Sequence, residues 1–267
     1  MPCSKKRGRE FRVKLLEIDS ISKNFGGLAA LVKVSFDVST GQIVGVIGPN
    51  GAGKTTLFNC LSGIDSVHEG RIRYRDREIN GLAPHQVVKR GLARTFQTTR
   101  IFEKLTVLEN VMVGRHLHSR TNFFYDLFRL PKATAEERAS RDSALRFLDL
   151  MKLSHLKAVQ ADQLTLAQAR RMELARVLAT SPDLLLLDEP GAGLDDRERE
   201  DLKEMLMEVH DQGVTLMVIE HDIDLVAKIC TELMVLNFGK LIAQGKSHEV
   251  LANKDVLDAY LGSADET

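Results

Sequence analysis

The sequence predicts an α/β fold, in which a core built on a parallel sheet carries an inserted helical lobe. Two observations lead to this class. Near both ends of the chain, short apolar runs alternate with helical patterns, which is typical of folds built from strand and helix units. Between about residues 106 and 180, apolar residues recur instead at helical spacing, and few strand candidates occur.

Local patterns position the individual strands and helices. Alternating residues at Leu15–Ile21 and Leu31–Val38 indicate strands at a sheet edge. Further strands are expected at Ile43–Ile47, Arg71–Tyr74, Leu92–Phe96, Leu184–Leu187, Val214–Ile219, Leu233–Leu236 and Lys240–Ala243. Helices are expected from about Lys54, at Pro84–Arg90, over a segment with Leu202, Met205, Leu206 and Val209 on one face, and in a C-terminal tail.

The segment from Gly48 to Thr55 completes the pattern G-x-x-x-x-G-K-[ST] directly after the apolar strand Ile43–Ile47. In this context the pattern indicates nucleotide binding, because glycines let several backbone N–H groups approach phosphate oxygens. The Lys54 ammonium adds charge, the Thr55 hydroxyl can reach Mg²⁺, and the following helix points its positive end at the anion. The expected nucleotide-binding residues are Gly48, Pro49, Asn50, Gly51, Ala52, Gly53, Lys54, Thr55 and Thr56.

A second motif follows where the run Leu184–Leu187 ends in Asp188 and Glu189. A run of leucines without alternation fits a strand buried on both faces, and ligands of open α/β sheets bind at the carboxyl ends of strands. Asp188 is therefore expected to hold Mg²⁺ through a water molecule beside the phosphate loop. Glu189 is expected to polarise a water for attack on the γ-phosphate. The alternative is a buried strand followed by a solvated turn.

Two further polar residues follow predicted strands. His221 comes just after the strand Val214–Ile219, where it could donate a hydrogen bond to a γ-phosphate. Gln97 follows the strand Leu92–Phe96, and its amide could ligate Mg²⁺ or orient a water. A surface or core histidine is the alternative interpretation of His221.

Composition argues against several classes of function. Lysine plus arginine and aspartate plus glutamate number 37 each, and aromatic residues make up 5%, so a nucleic-acid partner is not expected. The isolated Cys3, Cys60 and Cys230 are expected to be reduced thiols in a cytoplasmic protein. No run reaches the roughly 18 apolar residues that cross a bilayer. The basic residues 5–9 are interpreted as a solvated tail, with contact to lipid headgroups or nucleic acid as the alternative.

Taken in this order, the motifs between residues 13 and 245 resemble the ATP-binding subunit of ABC transporters. The resemblance implies a P-loop NTPase core with a parallel sheet, an antiparallel β subdomain and a helical subdomain inserted at about residues 98–180. Residues 1–12 would form a basic tail and residues 246–267 a C-terminal helical tail. The implied ligands are ATP and Mg²⁺.

The resemblance also implies roles for single residues. Lys54 and Thr55 would belong to the Walker A loop, and Asp188 and Glu189 to Walker B. Gln97 would lie in the Q-loop, Asp195 in the D-loop, and His221 would be the switch histidine. Phe25 falls where the family stacks an aromatic ring on adenine, with a core or turn aromatic as the alternative.

The signature sequence of the family, Leu-Ser-Gly-Gly-Gln, is replaced by Leu-Thr-Leu-Ala-Gln at residues 164–168. Thr165 keeps a hydroxyl for a γ-phosphate, but the side chains of Leu166 and Ala167 restrict the approach of the backbone. We therefore expect a weakened contact that involves Thr165 and Gln168. The alternative is that these two residues form an ordinary capping box.

The resemblance implies a sandwich of two nucleotide subunits, each a copy of this chain or of a paralogue, with ATP between them. Residues 98–110 would contact membrane-embedded permease subunits, which a substrate-binding protein serves, so the chain would lie on the cytoplasmic face of the inner membrane as a peripheral subunit. Ordinary packing within the helical lobe is the alternative role for this segment.

Four sequence segments resemble those of the larger ATPase of branched-chain amino-acid importers. These segments are residues 24–31, the insert 115–152, residues 218–222 and residues 258–262. ATPases of urea or other amide importers and of lipopolysaccharide exporters are similar in these places. A soluble ABC ATPase acting on DNA or ribosomes is disfavoured, since no coiled-coil insert or second ATPase unit is visible. A regulatory module without turnover stays open, although Glu189 favours hydrolysis.

Overall fold

The computed structural model describes residues 13–96, 101–115 and 131–261, but not the side chains of residues 131–137 and 260–261. Its strands are β1 Lys14–Phe25, β2 Leu28–Ser39, β3 Ile43–Ile47, β4 Glu69–Tyr74, β5 Arg77–Glu78, β6 Leu92–Arg94, β7 Leu184–Asp188, β8 Thr215–Ile219, β9 Glu232–Asn237 and β10 Lys240–Lys246. Its α-helices are α1 Lys54–Leu61, α2 Pro84–Lys89, α3 Val107–Arg115, α4 Pro131–Leu150, α5 Leu166–Leu178, α6 Asp196–Asp211, α7 Ile223–Ile229, α8 Ser247–Leu251 and α9 Lys254–Leu261. None of the helices within the described ranges is long and apolar enough to cross a membrane.

The strands form two sheets. The first has four strands in the order β2-β1-β4-β5 and is antiparallel, and the second has six in the order β10-β9-β3-β8-β7-β6. Strands β9, β3, β8, β7 and β6 run parallel, and β10 is antiparallel to β9. The α/β class with a parallel core sheet and an antiparallel β unit is thus confirmed.

Every predicted strand is found. Some strands end at other residues than predicted, and one strand has another position in its sheet. The prediction that residues 15–21 form an edge strand is wrong, because β1 lies between β2 and β4. Alternation of apolar and polar residues indicates that one face of β1 is buried, but it does not show how many neighbouring strands pair with it. Strand β6 ends at Arg94 rather than at Phe96, and β5 was not predicted.

The core sheet separates two apolar clusters. In β7, Leu184 and Leu186 belong to the cluster that includes the antiparallel sheet and α1, whereas Leu185 and Leu187 belong to the cluster that includes α4, α5 and α6. Every residue of β3, β7 and β8 is buried, which explains why these strands are continuous apolar runs. On α6, the predicted apolar face is confirmed, since its buried residues are Leu202, Met205, Leu206 and Val209.

The helical segment packs α3, α4 and α5 against one another. A Cβ atom at Gly114 of α3 would collide with the backbone oxygen of Arg176 on α5, so these two helices approach too closely for any larger residue. The buried amide of Asn110 on α3 donates to the backbone oxygens of Phe102 and Thr106 and fixes the turn before the helix. The described helices between β6 and β7 therefore pack together as a unit.

Candidate functional site

The phosphate loop leaves β3 at Ile47 and enters α1 at Lys54. Gly48 and Gly53 have φ values of 148° and 101°, a region that favours glycine. A Cβ atom at Gly53 would lie 2.5 Å from the backbone oxygen of Ala30, and one at Gly48 would collide with the backbone oxygen of Leu236. These two glycines are therefore required by neighbouring backbone as well as by the turn itself.

Lys54 is buried at the start of α1, and its side chain folds back over the loop. Its Nζ donates hydrogen bonds to the backbone oxygens of Gly48 at 2.6 Å and Pro49 at 3.0 Å. Burial lowers the pKa of Lys54, while the negative charges of Glu189 and Asp188 act in the opposite direction. The carboxylates of Asp188 and Glu189 are thus close enough to act on the phosphate-loop ammonium.

The remaining residues of the loop differ in their exposure to solvent. Asn50, Gly51 and Thr55 are exposed, and Thr56 is partly buried in the first turn of α1. Ala52 is buried, and its backbone oxygen accepts a hydrogen bond from the Gly239 N–H at 3.0 Å. The turn between β9 and β10 therefore holds the loop from behind.

Asp188 ends β7 and is buried, with one carboxylate oxygen already occupied. Its Oδ2 accepts a hydrogen bond from Nη2 of Arg94 at 2.6 Å, and the two side chains are 3% and 5% exposed. Arg94 was not among the predicted site residues. A charged residue inside the predicted strand Leu92–Phe96 was the signal that could have found it.

Thr55 and Asp188 offer a hydroxyl oxygen and a carboxylate oxygen, which are ligand types that fit Mg²⁺ bound together with a nucleotide. Mg²⁺ prefers oxygen ligands, keeps several waters and takes its other ligands from phosphates, so one hydroxyl and one carboxylate are enough. No group of three or more histidine, cysteine or acidic residues suited to a metal occurs within the described part of the chain. Gln97, the third predicted metal ligand, lies outside the described residues.

Glu189 and His221 are brought together from different strands. The ring Nε2–H of His221 donates to Oε1 of Glu189 at 2.6 Å. Glu189 has φ 49°, which is rare for a residue with a side chain, and its backbone N–H donates to the oxygen of Ile219 at 2.9 Å. Strained backbone of this kind concentrates at active sites, where the surrounding structure maintains it.

Glu220 is a buried acid that the sequence interpretation missed. Its Oε1 accepts from the Gly191 N–H at 2.6 Å, and its Oε2 accepts from the His221 N–H at 3.3 Å. Burial raises the pKa of Glu220 above its ordinary value, against the effect of these two hydrogen bonds. An acid directly after an apolar strand was the available signal, as it was for Asp188.

The segment after Glu189 is held from two sides. Glu220 binds the backbone of Gly191, and Nη1 of Arg170 on α5 donates to the backbone oxygen of Pro190 at 3.0 Å. Helix α5 begins directly after Thr165, the signature position. A movement of that helix would therefore act on the residues next to Glu189.

Thr165 and Gln168 form the capping box that was the alternative prediction. The Gln168 N–H donates to the Thr165 hydroxyl oxygen at 3.3 Å, and the Thr165 N–H donates to Gln168 Oε1 at 3.0 Å. The hydroxyl proton of Thr165 is not used by this arrangement, so it remains able to donate to an anion. Leu166, the next residue, is 53% exposed.

Phe25 and Asp195 lie on elements that flank the site. The Phe25 ring is 47% exposed, and Nζ of the buried Lys23 lies 4.9 Å from its centroid, so a cation already occupies one face of the ring. Asp195 is exposed and caps α6, since its Oδ1 accepts from the Glu198 N–H at 2.8 Å. Its other oxygen remains available to a partner.

Comparison with known families gives two matches. The family described as "ABC transporter" matches residues 31–192, and the family described as "Branched-chain amino acid ATP-binding cassette transporter" matches residues 240–266. A relative from Pseudomonas aeruginosa, the high-affinity branched-chain amino acid transport ATP-binding protein BraF, is 41% identical over 251 residues. That alignment covers 94% of this chain and 98% of the relative.

The solved structures that resemble this chain include ATP-binding cassettes. A nucleotide-free ATP-binding cassette from an ABC transporter superposes with a TM-score of 0.81 at 32% identity, covering 93% of this chain and 99% of that one. A dimeric ATP-binding cassette in a post-hydrolysis state, bound to ADP and Pi, superposes with a TM-score of 0.74 at 25% identity, covering 87% and 99%.

The effect of Glu220→Gln on stability, relative to the wild type, is predicted to become more favourable as the pH rises. The folded-state pKa of Glu220 is raised, so its ionisation costs stability once the pH exceeds the ordinary value of 4.5, and this cost grows until the higher folded pKa is passed. The neutral amide can still accept from Gly191. The melting temperature of the variant minus that of the wild type should be larger at about pH 8 than at about pH 5. A difference that does not change with pH would contradict the assignment of a raised pKa.

Proposed function

The chain belongs to the ABC transporter family, and on this basis we propose that it is the ATP-hydrolysing subunit of an importer for branched-chain amino acids. A relative described as a branched-chain amino acid transport ATP-binding protein is similar over nearly the whole chain. The family that matches residues 240–266 also has branched-chain amino acids in its description. The single observation that supports turnover at this site is the contact between Glu189 and His221 beside the phosphate loop.

Nucleotide binding uses the phosphate loop. The backbone N–H groups from Gly48 to Thr56 surround the phosphates, and Lys54 exchanges its two carbonyl contacts for phosphate oxygens. Phe25 stacks on adenine with the face opposite Lys23. Because Lys23 and the backbone oxygen of Ser66 are hydrogen-bonded at 2.8 Å, the cation behind the ring is itself fixed.

The proposed ligands of the metal are Thr55, Asp188 and Gln97. When bound, Mg²⁺ would neutralise charge that develops on the phosphate oxygens. The Thr55 hydroxyl and a water held by Asp188 would be its protein-side ligands, with Gln97 joining from the Q-loop.

Hydrolysis uses Glu189 as the general base. Its carboxylate accepts a proton from the attacking water, and the ring of His221 keeps Oε1 in place by its hydrogen bond at 2.6 Å. His221 is 46% exposed on its side chain, so it can reach the γ-phosphate when the nucleotide is present. Its backbone is fixed in turn by Glu220.

A second ATPase subunit completes the site. In the proposed dimer the Thr165 hydroxyl, with Gln168 at the same helix start, faces the γ-phosphate held by the partner, and Asp195 crosses the interface. The dimeric cassette among the similar structures supports this arrangement. The partner is a second copy of this chain or a paralogue.

The transport partners are two permease subunits in the inner membrane, at whose cytoplasmic face the chain is peripheral. Residues 98–110 of the helical lobe contact them, and Phe102, which is 50% exposed, lies in this segment. A substrate-binding protein delivers the cargo to the permease and does not touch this subunit.

Glu189→Gln is predicted to lower kcat by about 10²–10⁴, because the amide cannot accept the proton of the attacking water. Binding of a fluorescent ATP analogue should persist, so the variant should accumulate as an ATP-bound dimer in size-exclusion chromatography. Glu200→Gln, an exposed acid on α6, is the matched control and should hydrolyse ATP as the wild type does. An unchanged kcat for Glu189→Gln would remove this residue from the role of base.

Leu166→Gly is predicted to raise the hydrolysis rate of the assembled transporter. The exposed leucine restricts the approach of the α5 N–H groups to the partner's γ-phosphate, and glycine removes that restriction. Leu166→Ala should give an intermediate rate. Equal or lower rates for both variants, at unchanged melting temperature, would mean that Leu166 does not limit this contact.

The cargo is tested in proteoliposomes that contain this chain, the permease subunits that co-purify with it and a binding protein that delivers substrate to those permeases. Binding protein loaded with leucine, isoleucine or valine should stimulate ATP hydrolysis, and binding protein offered urea should not. Stimulation by urea alone would contradict the amino-acid assignment while leaving the ATPase assignment intact.

A further inference from the structure

The guanidinium of Arg94 joins three parts of the site inside the protein. Besides its bond to Asp188 on β7, its Nη1 donates to Oδ1 of Asn59 at 2.7 Å and to the hydroxyl of Ser62 at 3.3 Å. Asn59 lies in α1, the helix that begins at Lys54, and Ser62 caps its end. Arg94 therefore connects the acid at the end of β7 to the helix that carries the phosphate loop.

Two aromatic rings complete the surroundings of the guanidinium. Its central carbon lies 5.6 Å from the ring centroid of Phe58 and 5.4 Å from that of Phe96. Rings at these distances attract a cation and limit the rotation of the side chain. The guanidinium is thus held by groups from α1, β7 and the segment that leads to the Q-loop.

This arrangement is not explained by stability alone. Nε of Arg94 is buried and has no hydrogen-bond partner in the described structure. An unpaired buried donor and a desolvated ion pair each cost free energy, and apolar residues of similar volume stabilise such a position at least as well. The pair therefore points to a function at the carboxylate that it contacts.

We propose that Arg94 is a positioning residue for Asp188, which fixes one carboxylate oxygen and keeps the other from binding a divalent cation before the nucleotide arrives. This inference rests on the proposed role of Asp188 on the metal side. The positive charge of Arg94 repels a cation beside Asp188, and the negative charge of the triphosphate offsets that repulsion. The cation consequently enters the site together with ATP and finds the free oxygen already oriented.

The test compares Mn²⁺ binding, measured by electron paramagnetic resonance, with and without a nonhydrolysable ATP analogue. Arg94→Met removes the charge but keeps a long apolar stem that fits between the two rings. It should bind Mn²⁺ without nucleotide at least about tenfold more tightly than the wild type, because the repulsion is gone. Mn²⁺ alone should also raise its melting temperature, which a purely structural role of Arg94 would not produce.

Arg94→Lys is the matched control, since it keeps the charge and loses the planar fork. It should retain the weak Mn²⁺ binding of the wild type without nucleotide, while its KM for the metal in ATP hydrolysis should rise.

If Arg94→Met does not fold, Arg94→Gln provides the same neutralisation with an amide that can still donate to Asp188. If Mn²⁺ restores the folding of either neutral variant, that result would also support the proposal.

Several results would overturn the proposal. Neutral variants that bind Mn²⁺ no more tightly than the wild type, or that unfold without rescue by Mn²⁺, would reduce Arg94 to a structural residue. Equal tightening in Arg94→Lys and Arg94→Met would mean that charge is not the cause. The same experiment shows whether the wild-type protein binds the ATP analogue. If it does not, the result contradicts the proposed function rather than this inference.

Discussion

The hydrogen-bonded register of three parallel strands is the constraint on which the site depends. Ile219 of β8 pairs with Val46 of β3 on one side and with Asp188 of β7 on the other. Since parallel strands end at the same edge, this register puts the phosphate loop, the two acids at the end of β7 and His221 next to one another. No long loop is needed to bring them together, and the burial of all three strands keeps the register fixed.

Three ionisable side chains of the site have hydrogen-bond partners within the protein. Lys54 is bound to carbonyl oxygens of its own loop, Asp188 to Arg94, and Glu189 to His221. Buried charges require such partners, because removing one partner leaves an uncompensated charge in a medium of low dielectric constant. In the proposed function, substrate binding is an exchange of partners, in which phosphate oxygens replace the carbonyl contacts of Lys54.

Sequence reasoning could predict the parts of the site that are local in the chain. The phosphate loop and the run ending at Asp188 are contiguous patterns, and strands β3 and β7 follow directly from them. It did not identify Arg94 or Glu220 as site residues, because their importance arises from partners such as Asn59 and Gly191 that are far away in sequence. It also left open whether Thr165 and Gln168 form a capping box, since the same residue pattern serves a helix start in any protein.

The decisive measurement is a structure of the Glu189→Gln variant with ATP and Mg²⁺. In it, Nζ of Lys54 should leave the oxygens of Gly48 and Pro49 for the β- and γ-phosphates, while Asp188 keeps its contact with Arg94 and faces the metal with its other oxygen. A nucleotide bound elsewhere, with Lys54 still on those carbonyl oxygens and Asp188 turned away from it, would show that this site does not bind the triphosphate.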